Sequence, residues 1–342
     1  MSEETNANRA PEQPEGEPRE QHHKPSSLIV SLRRWARVLV AVVSTCLIAG
    51  YASDVHAWLD LLSAFQLQYL CVLLPLAIIL LAVRSWRWAG VAAVGGIIAG
   101  LQVLPWYVPG PNVQRQAQPN LRLVLANVCQ ENPRHDDVRR NVEALHPDLA
   151  VLQEIDEEWR ASLQPLIARY PHSQYVPGTD LRGLLALSRF PLLDTHTEEF
   201  GISLAPSLVA TLEINNRPVL LVVTHPWPAL DSFGFASRNE QLKQVGALLA
   251  SAPRPCILVG DLNVTMWSGA YRRLVRESGL INTRAGFGVL PSFPLDKLPL
   301  LRFPIDHCLI SPDIIVTDCR LAAPAGSDHS PLVADLRIPP AD

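Results

Sequence analysis

The sequence predicts an α/β domain built from two packed, mixed β-sheets flanked by helices, preceded by an α-helical transmembrane region. Two observations lead to this prediction. From about residue 119 to 338, short apolar segments rich in Val, Ile and Leu alternate with polar segments of helical periodicity. In the first third of the chain, three long runs contain no charged residue, as expected for helices that cross a bilayer.

The overall composition narrows the class of protein. The chain has 342 residues, of which 48% are apolar and 18% charged, with a formal charge of −4. This composition excludes a collagen-like, coiled-coil or wholly disordered protein. Six cysteines without a CxxC pair argue against a disulfide-stapled small domain and against a structural zinc site. A net charge near zero argues against a general nucleic-acid coat protein.

The first 27 residues are predicted to form a disordered polar tail, because they hold six acidic residues, three basic residues and four prolines and too little apolar surface to fold. Residues 28–108 are predicted to form a membrane region with about three transmembrane helices. A spanning helix needs roughly 20 apolar residues, so the second and third uncharged runs qualify and the first is marginal. The runs comprise 16 residues between Arg37 and Asp54, 23 between Asp60 and Arg84, and 27 between Arg87 and Arg115.

Charged residues beside these runs predict how the region is oriented. Lysine and arginine occur before the first run and between the second and third, at Lys24, Arg33, Arg34, Arg37, Arg84 and Arg87. The positive-inside rule places both positions in the cytoplasm, so the chain after residue 110 is expected on the opposite side. Prolines at 105, 109, 111 and 119 end the last helix and predict a linker over residues 109–118.

Eight segments of the remaining chain are predicted to be strands, because they are apolar and are bounded by Pro, Gly, Asn or Asp. They are residues 121–128, 149–155, 183–188, 207–214, 218–225, 256–263, 305–311 and 331–338. Residues 136–146 and 156–170 have apolar residues at three-to-four spacing and are predicted helices. Strands without an intervening helix, within 183–225 and 305–338, suggest antiparallel hairpins mixed with crossovers.

Several predicted strands begin or end with polar side chains of the kinds that bind metals or transfer protons. These are Asn127, Glu154, His225, Asp261, Asn263, Asp306, Asp328 and His329. Considered singly, an Asn or Asp at a strand end is usually a turn residue, and a single His is usually structural. Glu154 differs, because an acidic residue that closes an apolar strand needs a partner or a metal. Groups at strand ends can converge on one edge of a sheet, where a rigid scaffold holds the loops.

Eight short motifs that contain these residues occur in a characteristic order. They are LANV with Asn127, LQE with Glu154, LSRFP at 187–191, TH at 224–225, GDLN at 260–263, PSFP at 291–294, IDH at 305–307 and SDHSPL at 327–332. Together they resemble the endonuclease/exonuclease/phosphatase superfamily of metal-dependent phosphoesterases, which includes repair endonucleases, inositol polyphosphate phosphatases and neutral sphingomyelinases. The resemblance extends over residues 119–338. It implies that this part of the chain folds as a four-layer α/β sandwich. It also implies that residues 119–342 form a metal-dependent domain that hydrolyses phosphate esters.

The resemblance also implies a role for each residue of the motifs. Glu154, helped by Asn127, would bind Mg²⁺ or Mn²⁺, a hard ion that one or two carboxylates suffice to hold. Asp328 is the second acidic candidate near the metal. Asp261 would orient or deprotonate the attacking water, and Asn263 would hold a phosphoryl oxygen.

Three further residues would act on the phosphoryl group. His329 would stabilise its charge, and Asp306 would hold the His329 imidazole in place. His225 matches the position of a phosphate-contacting His in the sphingomyelinase-like branch. The reaction implied is an in-line displacement that depends on charge neutralisation and positioning.

Two departures from the nuclease branch bear on the substrate. Repair nucleases often carry an acidic residue two positions after the first Asn, and here that position is Cys129. Residues 115–342 contain 21 Lys and Arg against 25 Asp and Glu, so tight binding of duplex nucleic acid is not expected.

The leading hypothesis is a phosphoesterase embedded in a bacterial inner membrane by several spans, with its catalytic domain extracytoplasmic and a lipid, small-molecule or nucleic-acid phosphate ester as substrate. A nuclease acting on extracytoplasmic DNA or RNA is the first alternative. A catalytically inactive binding module tethered to the membrane is the second.

Overall fold

The computed structural model describes residues 27–179, 181–253 and 255–340. The predicted disordered tail lies outside these residues, except for Ser27, which begins the first helix. The described chain starts with helices α1 (Ser27–Ala49), α2 (Ala57–Ser63), α3 (Gln66–Ala82) and α4 (Trp86–Val103). We call these four the N-terminal helices.

Two helical segments, Ile29–Ala52 and Trp86–Tyr107, are long and apolar enough to cross a membrane, and the pair α2–α3 adds a third if it counts as one span bent by 60°. The marginal first run is therefore the C-terminal part of a longer helix, because α1 begins at Ser27, ahead of the run. The second run was expected to be continuous, but it breaks at Phe65, whose ring packs at 5.0 Å and at 81° against Phe303 of the following domain.

The two ends of the N-terminal helices differ in character. The turn between α3 and α4 lies beside the first half of α1, where the Arg37 Nε donates a hydrogen bond to the Ser85 hydroxyl at 3.1 Å. At the opposite end the helices contact the following domain: the Trp267 indole donates to the Gln102 carbonyl at 3.0 Å, and the Gln68 amide donates to the Leu300 carbonyl at 2.7 Å. The predicted linker is also bound to that domain, since residues 112–114 pair with the backbone of Val316.

The rest of the chain forms an α/β domain with twelve described strands. The strands are β1 (Leu121–Asn127), β2 (Leu149–Gln153), β3 (His172–Val176), β4 (Leu184–Ser188), β5 (Leu192–Phe200), β6 (Ala205–Ile214), β7 (Arg217–Val223), β8 (Cys256–Asp261), β9 (Ile281–Asn282), β10 (Asp306–Ile310), β11 (Ile315–Leu321) and β12 (Leu332–Arg337). The helices are α5 (His135–Leu145), α6 (Glu157–Ser162), α7 (Gln164–Ile167), α8 (Ser232–Ser251) and α9 (Gly269–Ser278).

The strands form two sheets of six, with the orders β11-β12-β1-β2-β4-β3 and β5-β6-β7-β8-β10-β9. Each sheet is mixed: β1 and β2 are parallel in the first, β7 and β8 are parallel in the second, and the remaining pairs are antiparallel. The parallel pairs are joined by the crossover helices α5 and α8, as parallel neighbours require. The predicted fold class, two packed mixed sheets with helices, is confirmed.

The apolar residues lie in three layers that hold the sheets and helices together. Leu123 and Val151 of the first sheet pack against Leu221 and Ile257 of the second, all buried. Helices α5–α7 cover the outer face of the first sheet, and α8 and α9 cover that of the second. Val103 of α4 also packs into this last layer. The N-terminal helices therefore share a core with the α/β domain.

All eight predicted strands are present, and four were missed: β3, β5, β9 and β11. These four are the edges of the two sheets. An edge strand needs less apolar surface than a central one, and charged residues protect it from pairing with other chains; six of the nine residues of β5 are exposed. The hairpin expected within 305–338 was wrong in its pairing, because β10 lies in the second sheet and β12 pairs with the unpredicted β11.

Candidate active site

The eight polar residues singled out in the sequence meet at one edge of the two sheets. Six of them line a cavity of about 440 Å³, which we call the site cavity: Glu154, His225, Asp261, Asn263, Asp328 and His329. Asn127 and Asp306 lie behind them and are joined to them by hydrogen bonds. Gln153 holds this edge together, since its Oε1 accepts from the Asp261 amide at 2.7 Å and its Nε2 donates to the Thr224 carbonyl at 3.0 Å.

Glu154 follows the end of β2 in a left-handed backbone conformation, with φ of 64°. A residue with a side chain adopts this conformation only where its surroundings demand it, and such residues concentrate at functional sites. The surroundings are tight: a Cβ on Gly183 would lie 1.8 Å from the Ile155 carbonyl oxygen. The Glu154 oxygens accept from Asn127 Nδ2 at 2.7 Å and from the Gln130 amide at 3.1 Å.

Asn127 ends β1 with its carboxamide in a defined orientation. Its Oδ1 accepts a hydrogen bond from the Cys129 amide at 3.0 Å, so its nitrogen faces the carboxylates. That nitrogen donates to Glu154 Oε1 and lies 3.4 Å from Asp261 Oδ2. In this orientation Asn127 brings two carboxylates together and orients them through its N–H groups.

Asp261 ends β8 and is buried, with an exposed fraction of 2%. Its Oδ1 accepts from the Asn263 amide at 2.9 Å. Its Oδ2 lies 3.5 Å from Nε2 of His225 and 3.8 Å from Nε2 of His329. Burial raises the pKa of Asp261, but the hydrogen bond from His225 and the charge of His329 outweigh burial and lower the pKa to about 2. Asp261 is therefore an ionised carboxylate between two imidazoles.

His329 lies between two carboxylates. Its Nδ1 is 2.9 Å from Asp306 Oδ2, and the Ser292 hydroxyl donates to the same oxygen. The ring of Phe293 covers the imidazole at 4.5 Å between centroids. Burial lowers the pKa of His329, but the Asp306 carboxylate outweighs burial and raises the pKa to about 10. At neutral pH His329 therefore carries a positive charge within the cavity wall.

Asn263 is tied to the N-terminal helices through one arginine. Its backbone is left-handed, with φ of 50°, which an Asn tolerates, and its Nδ2 donates to the Pro226 carbonyl at 2.9 Å. Its own carbonyl accepts from Arg238 of α8 at 3.0 Å. The Arg238 guanidinium pairs with Asp60 of α2 at 2.8 Å, and both side chains are buried.

The donor atoms fit a hard divalent cation on one side of the cavity. Among the described residues, Asp261, Asp306 and His329 hold ligand atoms within 4.8 Å of one another, but Asp306 and His329 already satisfy each other. The Glu154 carboxylate instead accepts from two neutral N–H groups and forms no ion pair with any Lys or Arg in the described chain. Its uncompensated charge beside the oxygens of Asp261 suits Mg²⁺ or Mn²⁺, which prefer oxygen ligands.

Asp328 contributes a further negative charge on this side. Burial raises the pKa of the Cys129 thiol, and the neighbouring carboxylates Asp328 and Glu154 raise it further. The thiol is therefore neutral where nucleases of the family often place an acid, and Asp328 provides an acidic group beside it.

Sequence reasoning missed four residues of the site: Gln153, Arg182, Arg238 and Ser292. Gln153 directly precedes Glu154, and a polar residue at the end of an apolar strand was the available signal. Arg182 lines the site cavity, donates to the Pro226 carbonyl at 3.0 Å and stacks 4.3 Å above the Trp227 ring. Ser292 lies in the PSFP motif but was given no role, and Arg238 acts through tertiary contacts that no local pattern indicates.

The fold is shared with several solved structures. The catalytic domain of human Nocturnin with bound sulfate is 20% identical at a TM-score of 0.52, covering 65% of this chain and 96% of that one. An endonuclease/exonuclease/phosphatase from Bacteroides vulgatus is 19% identical at a TM-score of 0.53, and the match covers 64% of this chain and 99% of that one. D. rerio TDP2 in complex with a single-stranded DNA product is 15% identical at a TM-score of 0.54, and the match covers 64% of this chain and 98% of that one. These likenesses establish the fold.

The family is established by the sequence. No curated protein matches the chain significantly. A model of the Endonuclease/Exonuclease/phosphatase family matches residues 112–329. This range begins inside the predicted linker and covers most of the α/β domain. The chain therefore belongs to the endonuclease/exonuclease/phosphatase family and is a hydrolase that acts on phosphate ester bonds.

Proposed function

We propose that this protein is a membrane-anchored, Mg²⁺-dependent phosphoesterase that hydrolyses a phosphodiester or phosphomonoester by in-line attack of water. One observation carries the proposal. The uncompensated Glu154 carboxylate, the ionised Asp261 and the positively charged His329 lie on the walls of a single cavity. That arrangement offers anionic groups for a cation and a water, and a cationic group for the phosphoryl oxygens.

The residues divide the reaction between them. Asp261 accepts a hydrogen bond from the attacking water and receives its proton while the water oxygen bonds to phosphorus and the bond to the leaving oxygen breaks. His329 donates to a phosphoryl oxygen, and Asp306 keeps its imidazole charged and oriented. Asn263 and His225 hold the remaining phosphoryl oxygens. Because these groups are already held by hydrogen bonds, little reorganisation is needed during the reaction.

Glu154 would hold Mg²⁺ or Mn²⁺ together with Asp328, and Asn127 orients the Glu154 carboxylate for that task. Members of this family generally use a divalent metal, and the charge on Glu154 supports the same requirement here. When bound, the cation would neutralise charge that develops on the phosphoryl oxygens and acidify a bound water.

The N-terminal helices would anchor the enzyme as a multi-pass protein of a bacterial inner membrane. The arginines at one end of these helices and the α/β domain at the other favour an extracytoplasmic catalytic domain. The phosphate-ester substrate would be a lipid, a small molecule or a nucleic acid presented on that side. The excess of acidic residues in the domain argues against tight binding of duplex nucleic acid.

The test is hydrolysis by the full-length protein in nanodiscs, with Mg²⁺ varied, on bis(p-nitrophenyl) phosphate, on DNA and on phospholipid. Glu154→Gln preserves size and removes the charge, so we expect a loss of activity on the order of a hundredfold with the unfolding midpoint unchanged. Glu158→Gln, an exposed glutamate nearby, is the matched control and should behave as the unaltered protein.

A Glu154→Gln protein with normal turnover at limiting Mg²⁺ would contradict the metal assignment. Hydrolysis of DNA alone would favour the nuclease alternative. Failure to hydrolyse any of the three substrates at any metal concentration would support the inactive binding module.

A further inference from the structure

A second cavity, of about 260 Å³, lies between helix α2 and the α/β domain. We call it the α2 cavity. Leu61 and Ala64 form its wall on the side of α2, and Phe303 and Pro294 face them from the α/β domain. Its volume is about nine times the roughly 30 Å³ that one water molecule occupies in the liquid. The part of its wall that α2 provides lies outside the family match at residues 112–329, and the rest of the wall lies inside it.

The α2 cavity adjoins the site cavity. Five residues line both: Pro228, Leu230, Asn263, Phe293 and Ile305. Phe293 covers the His329 ring and also lines the α2 cavity. A molecule whose phosphate contacts His329 can therefore extend past Phe293 into the α2 cavity.

The α2 cavity is suited to hydrocarbon rather than to a charged group, and the one neutral hydroxyl on its wall without a hydrogen-bond partner among the described residues is that of Thr265. Most of its wall is apolar, and the two charged residues on it, Asp60 and Arg238, are paired with each other at 2.8 Å. The Ser268 hydroxyl is also engaged by Asp60. No unpaired charge on the described wall is available to a sugar or a second phosphate.

Exposed apolar residues occur on the wall of the α2 cavity and close to that wall in the sequence. Leu230 and Leu61, which line the cavity, are 77% and 42% exposed. Trp58 of α2 is 66% exposed, and Leu298 is 72% exposed. Leu298 lies two residues before Leu300, whose carbonyl accepts a hydrogen bond from Gln68 of α3. Exposed apolar residues of this kind, with a tryptophan, are typical of a surface at the bilayer interface.

From these observations we infer that the α2 cavity binds a hydrocarbon chain of the substrate, which is a lipid phosphoester drawn from the bilayer that holds the N-terminal helices. The inference rests on the proposed phosphoesterase function and names its substrate class. The phosphate of the lipid lies at His329 and Asp261, and one chain segment fills the α2 cavity. The rest of the lipid remains in the bilayer.

The test uses linear alkyl phosphates, from butyl to dodecyl, as inhibitors of bis(p-nitrophenyl) phosphate hydrolysis by the full-length protein in nanodiscs. Each methylene that enters the cavity should strengthen inhibition by about fourfold, until the cavity is filled. Ala64→Phe fills the cavity, so inhibition, measured relative to the uninhibited rate of the same variant, should stop improving at a shorter chain. Ala64→Leu, a milder change, should have an intermediate effect.

Ala82→Phe, the matched control, adds the same ring at an exposed position at the far end of α3. It should leave the dependence on chain length unaltered, since partition of the inhibitors into the nanodisc is the same for both variants. Inhibition independent of chain length, or an Ala64→Phe protein indistinguishable from Ala82→Phe, would overturn the inference.

A second readout does not depend on activity. A dodecyl phosphate with a terminal diazirine should cross-link to residues 61–64 or 293–305 of the unaltered protein, and far less to Ala64→Phe. Cross-linking without hydrolysis of any substrate would overturn the proposed function and retain the cavity as a lipid site. Hydrolysis without cross-linking at these residues would overturn the lipid site and retain the function.

Discussion

Asp306 and His329 set the charge of the site across the working pH range. The pKa of His329 is raised from 6.5 to about 10, so the pair stabilises the fold fully below pH 6.5 and loses that contribution as pH rises through about 10. The pKa of Asp261 is lowered from 3.8 to about 2, so its contribution is present above pH 3.8 and is lost as pH falls through about 2. Between these limits the His329 imidazole stays cationic and the Asp261 carboxylate stays ionised.

Replacing Asp306 with Asn should move the alkaline limb of the pH–rate profile to lower pH. The change removes the negative charge that raises the pKa of His329, so the imidazole loses its proton closer to the ordinary value of 6.5. The measurement is kcat/KM on bis(p-nitrophenyl) phosphate from about pH 5 to 11. Asp318→Asn, which removes a half-exposed carboxylate on β11, is the control. It should leave the pH of the alkaline limb of the profile unchanged. An unchanged limb in Asp306→Asn would mean that Asp306 does not control the charge of His329.

Much of the site could be predicted from single residues, and the limit of that prediction is physical. Glu154 and Asp261 are visible because each interrupts an apolar strand with a charge that must find a partner. Gln153 contacts the Asp261 amide across 108 positions in sequence. Ser292 contacts Asp306 because the loop that contains Ser292 folds back onto the start of β10. Contacts of this kind depend on how the two sheets pack and leave no local pattern.

At the scale of elements, buried strands could be predicted and edges could not. β2 and β8 are buried at every position, so continuous apolar runs identify them. β5 and β3 border solvent and resemble polar loops in sequence. The bend before α3 could not be predicted from the sequence either, because residues 61–83 contain no charged residue and no glycine that would indicate it. The cause lies outside the run, in the contacts of α2 and Phe65 with the α/β domain.

Asp60→Asn should destabilise the protein and slow its turnover. The change leaves the buried Arg238 without its carboxylate partner, at a cost on the order of 3 kcal/mol. Arg238 also supports the Asn263 carbonyl, so kcat should fall together with stability. The measurements are the free energy of unfolding in detergent and steady-state kinetics.

Asp54→Asn is the matched control, since Asp54 pairs with Arg273 at 2.9 Å in a partly exposed position. Exposed pairs contribute less than about 1 kcal/mol, so this variant should remain close to the unaltered protein. Equal effects of the two substitutions would show that the Asp60–Arg238 pair has no special part in joining α2 to the site.

At the scale of the whole molecule, the N-terminal helices are part of the enzyme rather than a detachable anchor. Val103 packs into the core beside the second sheet, and Trp267 and Asp60 contribute contacts across the boundary. A fragment that begins at the predicted linker would expose this apolar surface and leave Arg238 unpaired. For this reason every experiment above uses the full-length chain.

The proposed orientation of the molecule in a membrane rests on which end of the N-terminal helices carries positive charge. Arg84 and Arg87 lie in the turn before α4, and Arg37 reaches the same turn through Ser85. Under the proposed membrane anchoring, the positive-inside rule would keep that turn cytoplasmic, and α4 would carry the chain to the other side whatever α1 does. Alkaline phosphatase, which is active only after export, should therefore be active when fused after residue 340. β-Galactosidase, which needs the cytoplasm, should be silent at the same position. Replacing Arg84 and Arg87 by Glu should weaken the alkaline phosphatase signal, because the charge that retains the turn is removed. The reverse pattern in the unaltered chain would put the site cavity in the cytoplasm and make intracellular phosphate esters its substrates.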